Sequence, residues 1–242
     1  AELGAPGVEL NFGCPAKTVN RSDGGSIILR DPQRVHDITA AVRNAVPSQV
    51  PVTVKTRLGY DDKERFLDIA RGIAAAGATE LTIHARTKRH GYRPPAYWED
   101  IAAAREAVSL PVIANGEIWN PQDALRCRQV SHCEDLMLGR GVLCRPDLPR
   151  LIAAMDRGES VASLHWPDIA PLLLRFFALQ REHYDAGHAG NPLKQWLVYL
   201  RSYFPQASLL FERVKRLRDP DEIATLLTEH AAQAAPAQQS AA

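Results

Sequence analysis

Five short apolar segments, each followed by an amphipathic stretch, constrain the fold of this chain more than any other feature. The segments run from Gly7 to Gly13, Pro51 to Arg57, Glu80 to Arg86, Pro111 to Gly116 and Asp135 to Arg140. Between them lie helical patterns from Pro32 to Val46, Lys63 to Ala76, Trp98 to Val108 and Pro121 to Val130. Pro32 and Pro121 stand in first-turn positions after Asp31 and Asn120, which can cap, and Gly77 suits a helix stop. Apolar runs alternating with helices imply a parallel sheet with both faces covered. From Pro149 onward no strand candidate follows. Helical patterns take over from Trp166 to Tyr184, Leu193 to Phe204, Gln206 to Leu217 and Pro220 to His230. The chain therefore reads as an α/β region over 1–150, a helical domain over 160–230 and a disordered, Ala/Gln-rich tail over 231–242.

Composition narrows the function classes. A net charge of +1 leaves no chain-wide electrostatic bias, so any nucleic-acid surface must be local. From Ser160 to Arg218 eight basic residues stand against four acidic ones, an excess that phosphate contacts would use and that a solvated helix face would also show. The four cysteines (Cys14, Cys127, Cys133, Cys144) form no C-x-x-C pair and no zinc or iron–sulfur ladder, so no metal is expected. No apolar run is long enough to span a bilayer and no secretory signal is legible, so the expectation is a cytoplasmic protein without a membrane partner.

Polar groups concentrate where the five segments end. The first leads into Asn11-Phe12-Gly13-Cys14-Pro15, which places a thiol on a strand-exit loop, and the glycine pair Gly24-Gly25 follows. Parallel α/β folds carry their chemistry at such exits. A thiol can act as an acid there because its ordinary pKa, about 8.5, lies near working pH. A buried structural cysteine is the competing reading. The second segment holds Lys55, which suits either a charge-stabilising role at the mouth of the sheet or a snorkelling position at its edge. The third ends at His84 and Arg86, the fourth at Asn115-Gly116-Glu117, the fifth at Gly139-Arg140-Gly141. Each is open to a bland reading as a core histidine or a tight turn. Together they suit one anionic ligand, with glycine-turn N–H groups and Arg140 on a phosphate.

In this order and spacing, N-F-G-C-P-A-K-T-V-N, V-K-T-R-L-G, T-I-H-A-R-T-K with G-Y, V-I-A-N-G-E-I and L-M-L-G-R-G closely resemble the flavin-dependent tRNA-dihydrouridine synthases. The resemblance extends to about Leu217. The run Lys194-Gln195-Trp196-Leu197 with Tyr199-Leu200-Arg201 is similar to the subgroup acting on the D-loop uridine at position 16. What this implies is an FMN-binding TIM barrel followed by a helical tRNA-binding domain, with NADPH as reductant. Hydride would pass from reduced FMN to C6 of a uracil extruded from tRNA, and Cys14 would protonate C5. By the same resemblance Lys55 lies near the flavin's pyrimidine edge and His84 lines the flavin site. Asn115, Gly116, Glu117, Gly139 and Arg140 hold the FMN phosphate. Asn11 sits beside the target uracil, and Arg86, Tyr92, Lys194, Gln195, Arg201 and Lys215 face the tRNA.

A TIM barrel closes with eight strands. Only five are legible, and the chain begins with Ala rather than Met, so it reads as an N-terminally truncated (β/α) unit array. The complete enzyme is expected to be a monomer, and the truncated chain to bind FMN weakly. Two other readings stay open. One is an FMN barrel acting on a free pyrimidine, as a dihydroorotate dehydrogenase does. The other is a non-catalytic RNA-binding fragment.

Overall fold

A computed structural model of the chain describes residues 3–234. Five strands, β1 (Val8–Asn11), β2 (Val52–Arg57), β3 (Glu80–His84), β4 (Val112–Asn115) and β5 (Leu136–Met137), form one sheet in the order β1-β2-β3-β4-β5. Every pairing is parallel. Successive right-handed crossovers that always step in the same direction put every connecting helix on one face. That is the winding of a (β/α) barrel array; a doubly wound sheet reverses its direction partway.

The strand interiors record the asymmetry. Val52, Val54, Leu81, Ile83 and Ala114 are fully buried, together with Val35, Ile69, Ile73, Ile101 and Ala104 on the helices. Each fully buried aliphatic side chain of this size contributes about 1.5–3 kcal/mol. The alternate positions Thr53, Lys55 and Ile113 are only half-buried. The expectation of two covered faces is therefore corrected: one face is sealed by helices, and the other keeps polar residues and partial access. The Val-Thr-Val-Lys alternation in β2 carried that signal.

The helices begin where local chemistry allows. In α2 (Pro32–Ala45) the Asp31 carboxylate accepts from Arg34 N, and in α5 (Pro121–Ser131) Asn120 Oδ1 accepts from Asp123 N, with proline in the first turn of each. The chain leaves α3 (Phe66–Ala75) through Gly77 at φ +85°, a conformation suited to glycine. Next comes α4 (Trp98–Ala107). The short α1 (Lys17–Arg21) and the 3-10 helix Gly25–Arg30 were not legible, because neither is long enough to show a hydrophobic period.

The chain divides into two compact units, Ala1–Gly139 and Arg140–Ala242, so that Arg140 to Arg150 belong with the helices and not with the strands. The second unit holds α6 (Arg140–Cys144), α7 (Leu148–Asp156), α8 (Trp166–His183), α9 (Gly190–Leu200), α10 (Pro205–Val214) and α11 (Pro220–Ala234). Its core gathers Ile169, Leu173, Leu193, Leu197, Leu200, Leu210, Val214 and Ile223 around Trp166 and Phe177. Two boundaries differ from expectation. Helix α9 stops at Leu200, leaving Tyr203 in the turn beyond it, and α11 continues through Ala231–Ala234. The rest of the expected tail lies outside the described residues. Among the described residues no helix is long and apolar enough to cross a membrane, and no group of three or more His, Cys, Asp or Glu could hold a metal.

Candidate active site

The site begins with the loop leaving β1. Asn11 Oδ1 accepts from Gly13 N at 2.9 Å, turning the chain sharply after the strand. Asn20, at the far end of the same motif, donates from Nδ2 to Cys14 O and to Gly24 O, both at 3.0 Å. Ser26 N also donates to Cys14 O at 3.0 Å, and Ser26 Oγ donates to Asn20 Oδ1 at 3.1 Å. Gly25 closes this ring at φ +64°. A Cβ there would lie 2.8 Å from Cys14 O, so the close approach requires glycine. The thiol is thus held by its own backbone, on a stapled loop, and remains half-buried.

The other three cysteines differ. Burial pushes the Cys127 thiol up to about 12, and burial also raises Cys133 and Cys144. Thiols so desolvated are poor proton donors at neutral pH. Cys14 is the one thiol of the four that is not buried.

At the same end of the sheet, register sets the remaining groups side by side. Asn11 pairs with Lys55, Arg57 with His84, His84 with Asn115 and Asn115 with Met137. Lys55 Nζ donates to Asn115 Oδ1 at 3.4 Å, and Asn115 Nδ2 donates to Met137 O at 2.6 Å. Burial, reinforced by the charge of Arg57, pushes the Lys55 ammonium below the ordinary lysine range. The His84 ring lies edge-on to Tyr92, whose side chain is half-exposed, with centroids 6.1 Å apart.

Arg57 had no role assigned from sequence, and it organises the site. It is 3% exposed. Its Nε donates to Gly13 O at 2.8 Å, and its Nη1 to Thr87 O at 3.3 Å and Gly91 O at 3.1 Å. The guanidinium lies 5.3 Å from the centre of the Tyr92 ring. One planar fork thereby ties the Cys14 loop to the loop carrying Tyr92. A charged residue ending a strand was the available signal, but its partners are backbone carbonyls up to 44 residues away.

One expected contact is corrected. Arg86 was expected to face tRNA, yet it is 0% exposed. Its guanidinium pairs with Glu117 at 2.9 Å and donates to Pro95 O at 3.0 Å. The Glu117 carboxylate also accepts from Trp119 Nε1 at 3.2 Å. It therefore helps to hold the β4 turn, where Trp98 Nε1 donates to Gly116 O at 2.9 Å. The Asn115 side chain joins Lys55 and β5. Gly139 ends the first unit and Arg140 opens α6 in the second.

In the helical unit, Lys194 Nζ donates to Leu217 O at 2.6 Å, fixing the turn after α10. Burial, then the charge of Arg218, pushes that ammonium below its ordinary range. Lys215 is ion-paired with Glu212. Gln195 lines a cavity with Tyr184, His188, Asn191 and Pro192. Arg201 is exposed, with its guanidinium 5.7 Å from the Phe211 ring centre. Asp221 and Glu229, which lie beyond the segment whose charge was counted, pair with Arg181 at 2.7 Å and Arg213 at 3.8 Å. The basic excess is thus partly neutralised by α11.

A stapled thiol loop, a desolvated lysine one strand away and an imidazole on the next define a (β/α) enzyme with its chemistry at the strand C-termini. The family model described as "Dihydrouridine synthase (Dus)" matches residues 1–236. The tRNA-dihydrouridine(16) synthase of Pseudomonas syringae pv. tomato is 49% identical over 226 residues, covering 93% of this chain and 71% of that protein. The enzyme of the same name from Aquipseudomonas alcaligenes is 48% identical over 225 residues, covering 93% and 71%. That of Pseudomonas putida is 46% identical over 226 residues, covering 93% and 70%. The chain belongs to the dihydrouridine synthase family.

Proposed function

We propose that the chain reduces the C5–C6 double bond of a uridine in tRNA, at position 16 of the D-loop, with FMN as bound cofactor and NADPH as reductant. The names of its relatives support tRNA, and that position, over a free pyrimidine. The observation that carries the reading is the half-buried Cys14 thiol, on a loop stapled by Asn20 and Gly25, at the sheet end where Lys55, His84 and Asn115 converge.

The donor set fits a flavin. An ammonium, a carboxamide and an imidazole in adjacent rows suit the carbonyl-bearing edge of an electron-rich heterocycle. Lys55, with His84 and Asn115, would hold that edge. When bound, FMN supplies hydride chemistry. The protein's own residues do the remainder. Lys55 would set its positive charge beside that edge, and its burial would strengthen the interaction. Asn11 turns the chain so that Cys14 follows the strand end directly. The Cys14 Sγ proton is delivered to C5 of the uracil, leaving a thiolate that solvent reprotonates through the half-open face. The base reaches this group only after leaving its stack in the tRNA.

Replacing the proton donor separates the two half-reactions. In Cys14→Ala, flavin reduction by NADPH is expected to persist, while dihydrouridine formation falls by about 10²–10⁴-fold, the range for loss of a general acid. Equal loss of both half-reactions would overturn the assignment of Cys14.

A further inference from the structure

Beside the thiol loop lies a notch of about 230 Å³ lined by Lys17, Asn20, Arg21, Tyr60 and Lys88. Three of its five lining residues are cations and none is a carboxylate. Lys17 and Arg21 come from α1, just after the thiol, and Lys88 from the loop after β3. The loops are held in place: Lys88 N donates to Gly59 O and Arg89 N to Tyr60 O, both at 3.0 Å. The Tyr60 ring fixes one of the cations further, with Lys88 Nζ 4.8 Å from its centre. Like charges brought together without an acid repel one another, and that cost is recovered only when an anion arrives. A volume below the roughly 300–1,000 Å³ of pockets that enclose whole small molecules suits a single anionic group.

Asn20 links this notch to the chemistry, because it lines the notch and its side chain donates to Cys14 O at 3.0 Å. From this arrangement we infer that the notch receives a phosphodiester of the substrate RNA, adjacent to the nucleotide that Cys14 protonates. The inference rests on the reading of tRNA as substrate and adds the place where the barrel unit grips its backbone. A phosphate seated on Lys17, Arg21 and Lys88 draws the strand against the stapled loop, so that binding and presentation of the base to the thiol are coupled through one asparagine.

Titration with salt tests this without requiring turnover. The full chain and its Lys17→Ala/Arg21→Ala/Lys88→Ala variant are compared for binding to unmodified tRNA over a potassium chloride series. Loss of the seat for one phosphodiester is expected to lower the slope of log affinity against log salt by about 0.7 and the affinity near 0.1 M salt by about 10-fold. Arg71→Ala removes one charge already paired with Asp68 and should leave the slope unchanged. Should the triple variant fail to fold, Lys17→Ala at an exposed position is expected to lower the slope by part of that amount and the affinity near 0.1 M salt by about 3-fold. An unchanged slope in the variants, or an equal loss in Arg71→Ala, overturns the inference while leaving the substrate reading intact. Absence of tRNA binding by the unaltered chain overturns both.

Discussion

The charged residues at the sheet end of the strand-bearing unit and those on the α8–α11 surface of the helical unit are held in different ways. In the first, Arg57 and Arg86 are buried, with fixed partners: three backbone carbonyls for one, Glu117 and a carbonyl for the other. Their charge shapes the site and is withheld from solvent. In the second, Arg181, Arg213 and Lys215 lie at the surface against Asp221, Glu229 and Glu212. Exposed pairs of this kind contribute about 0–1 kcal/mol each. A count of basic residues favours the helical unit as the place for polyanion contacts. Among the described residues, Lys17, Arg21 and Lys88 of the strand-bearing unit share a concave surface that no carboxylate lines.

That contrast can be broken or sharpened by substitution. The largest effect expected is that of Cys14→Ala on dihydrouridine formation, confined to the proton-transfer half of the reaction. The notch variants follow, read as a loss of salt dependence in tRNA binding. Third comes Arg57→Ala, which leaves three carbonyls, two of them buried, without their donor. Urea unfolding is expected to show a loss of about 2–4 kcal/mol, and Arg57→Lys should restore less than half of it because an ammonium lacks the planar fork. A change within experimental error would mean that the loops hold themselves.

A smaller effect concerns the helical unit. Trp166 Nε1 donates to His230 Nε2 at 2.8 Å, which requires that nitrogen to be unprotonated. Burial, and then the charge of Arg213, holds the His230 pKa below its ordinary value. The unfolded chain therefore takes up this proton at higher pH than the folded one, so the contribution is complete above about pH 6.5 and lost as pH falls below it. The melting temperature should drop between pH 7.5 and 5.5, and His230→Gln should flatten that drop. An unaltered pH profile in the variant would remove His230 from the account. The smallest effect is reserved for Lys215→Ala: with its ammonium already paired to Glu212, tRNA affinity should change by less than about 3-fold. A loss as large as that of the notch variants would reverse the comparison between the two units.

Much of the architecture was legible because it depends on local pattern. The strand and helix alternation, the Asp31 and Asn120 caps and the prolines after them are short-range features, and each appears where it was read. The thiol loop was legible as well, since Asn11, Cys14, Asn20 and the glycine pair all lie within one stretch of chain and hold one another. The burial of Arg86 was not legible, because its partner Glu117 comes from the next strand's turn and only the parallel register brings the two together. The neutralised surface of the helical unit escaped for the same reason: Asp221 reaches Arg181 across 40 residues.

The sequence alone determined that a thiol follows the first strand and that polar groups end each of the others, because strand periodicity and turn chemistry are written in neighbouring residues. Which of those groups meet a ligand and which are consumed in holding loops was decided by tertiary structure. Arg57 and Lys55 lie two positions apart on the same side of one strand, yet one is tied to distant carbonyls and the other borders the half-open face. A charge's availability depends on the partners that folding brings to it, and those partners are remote in the chain.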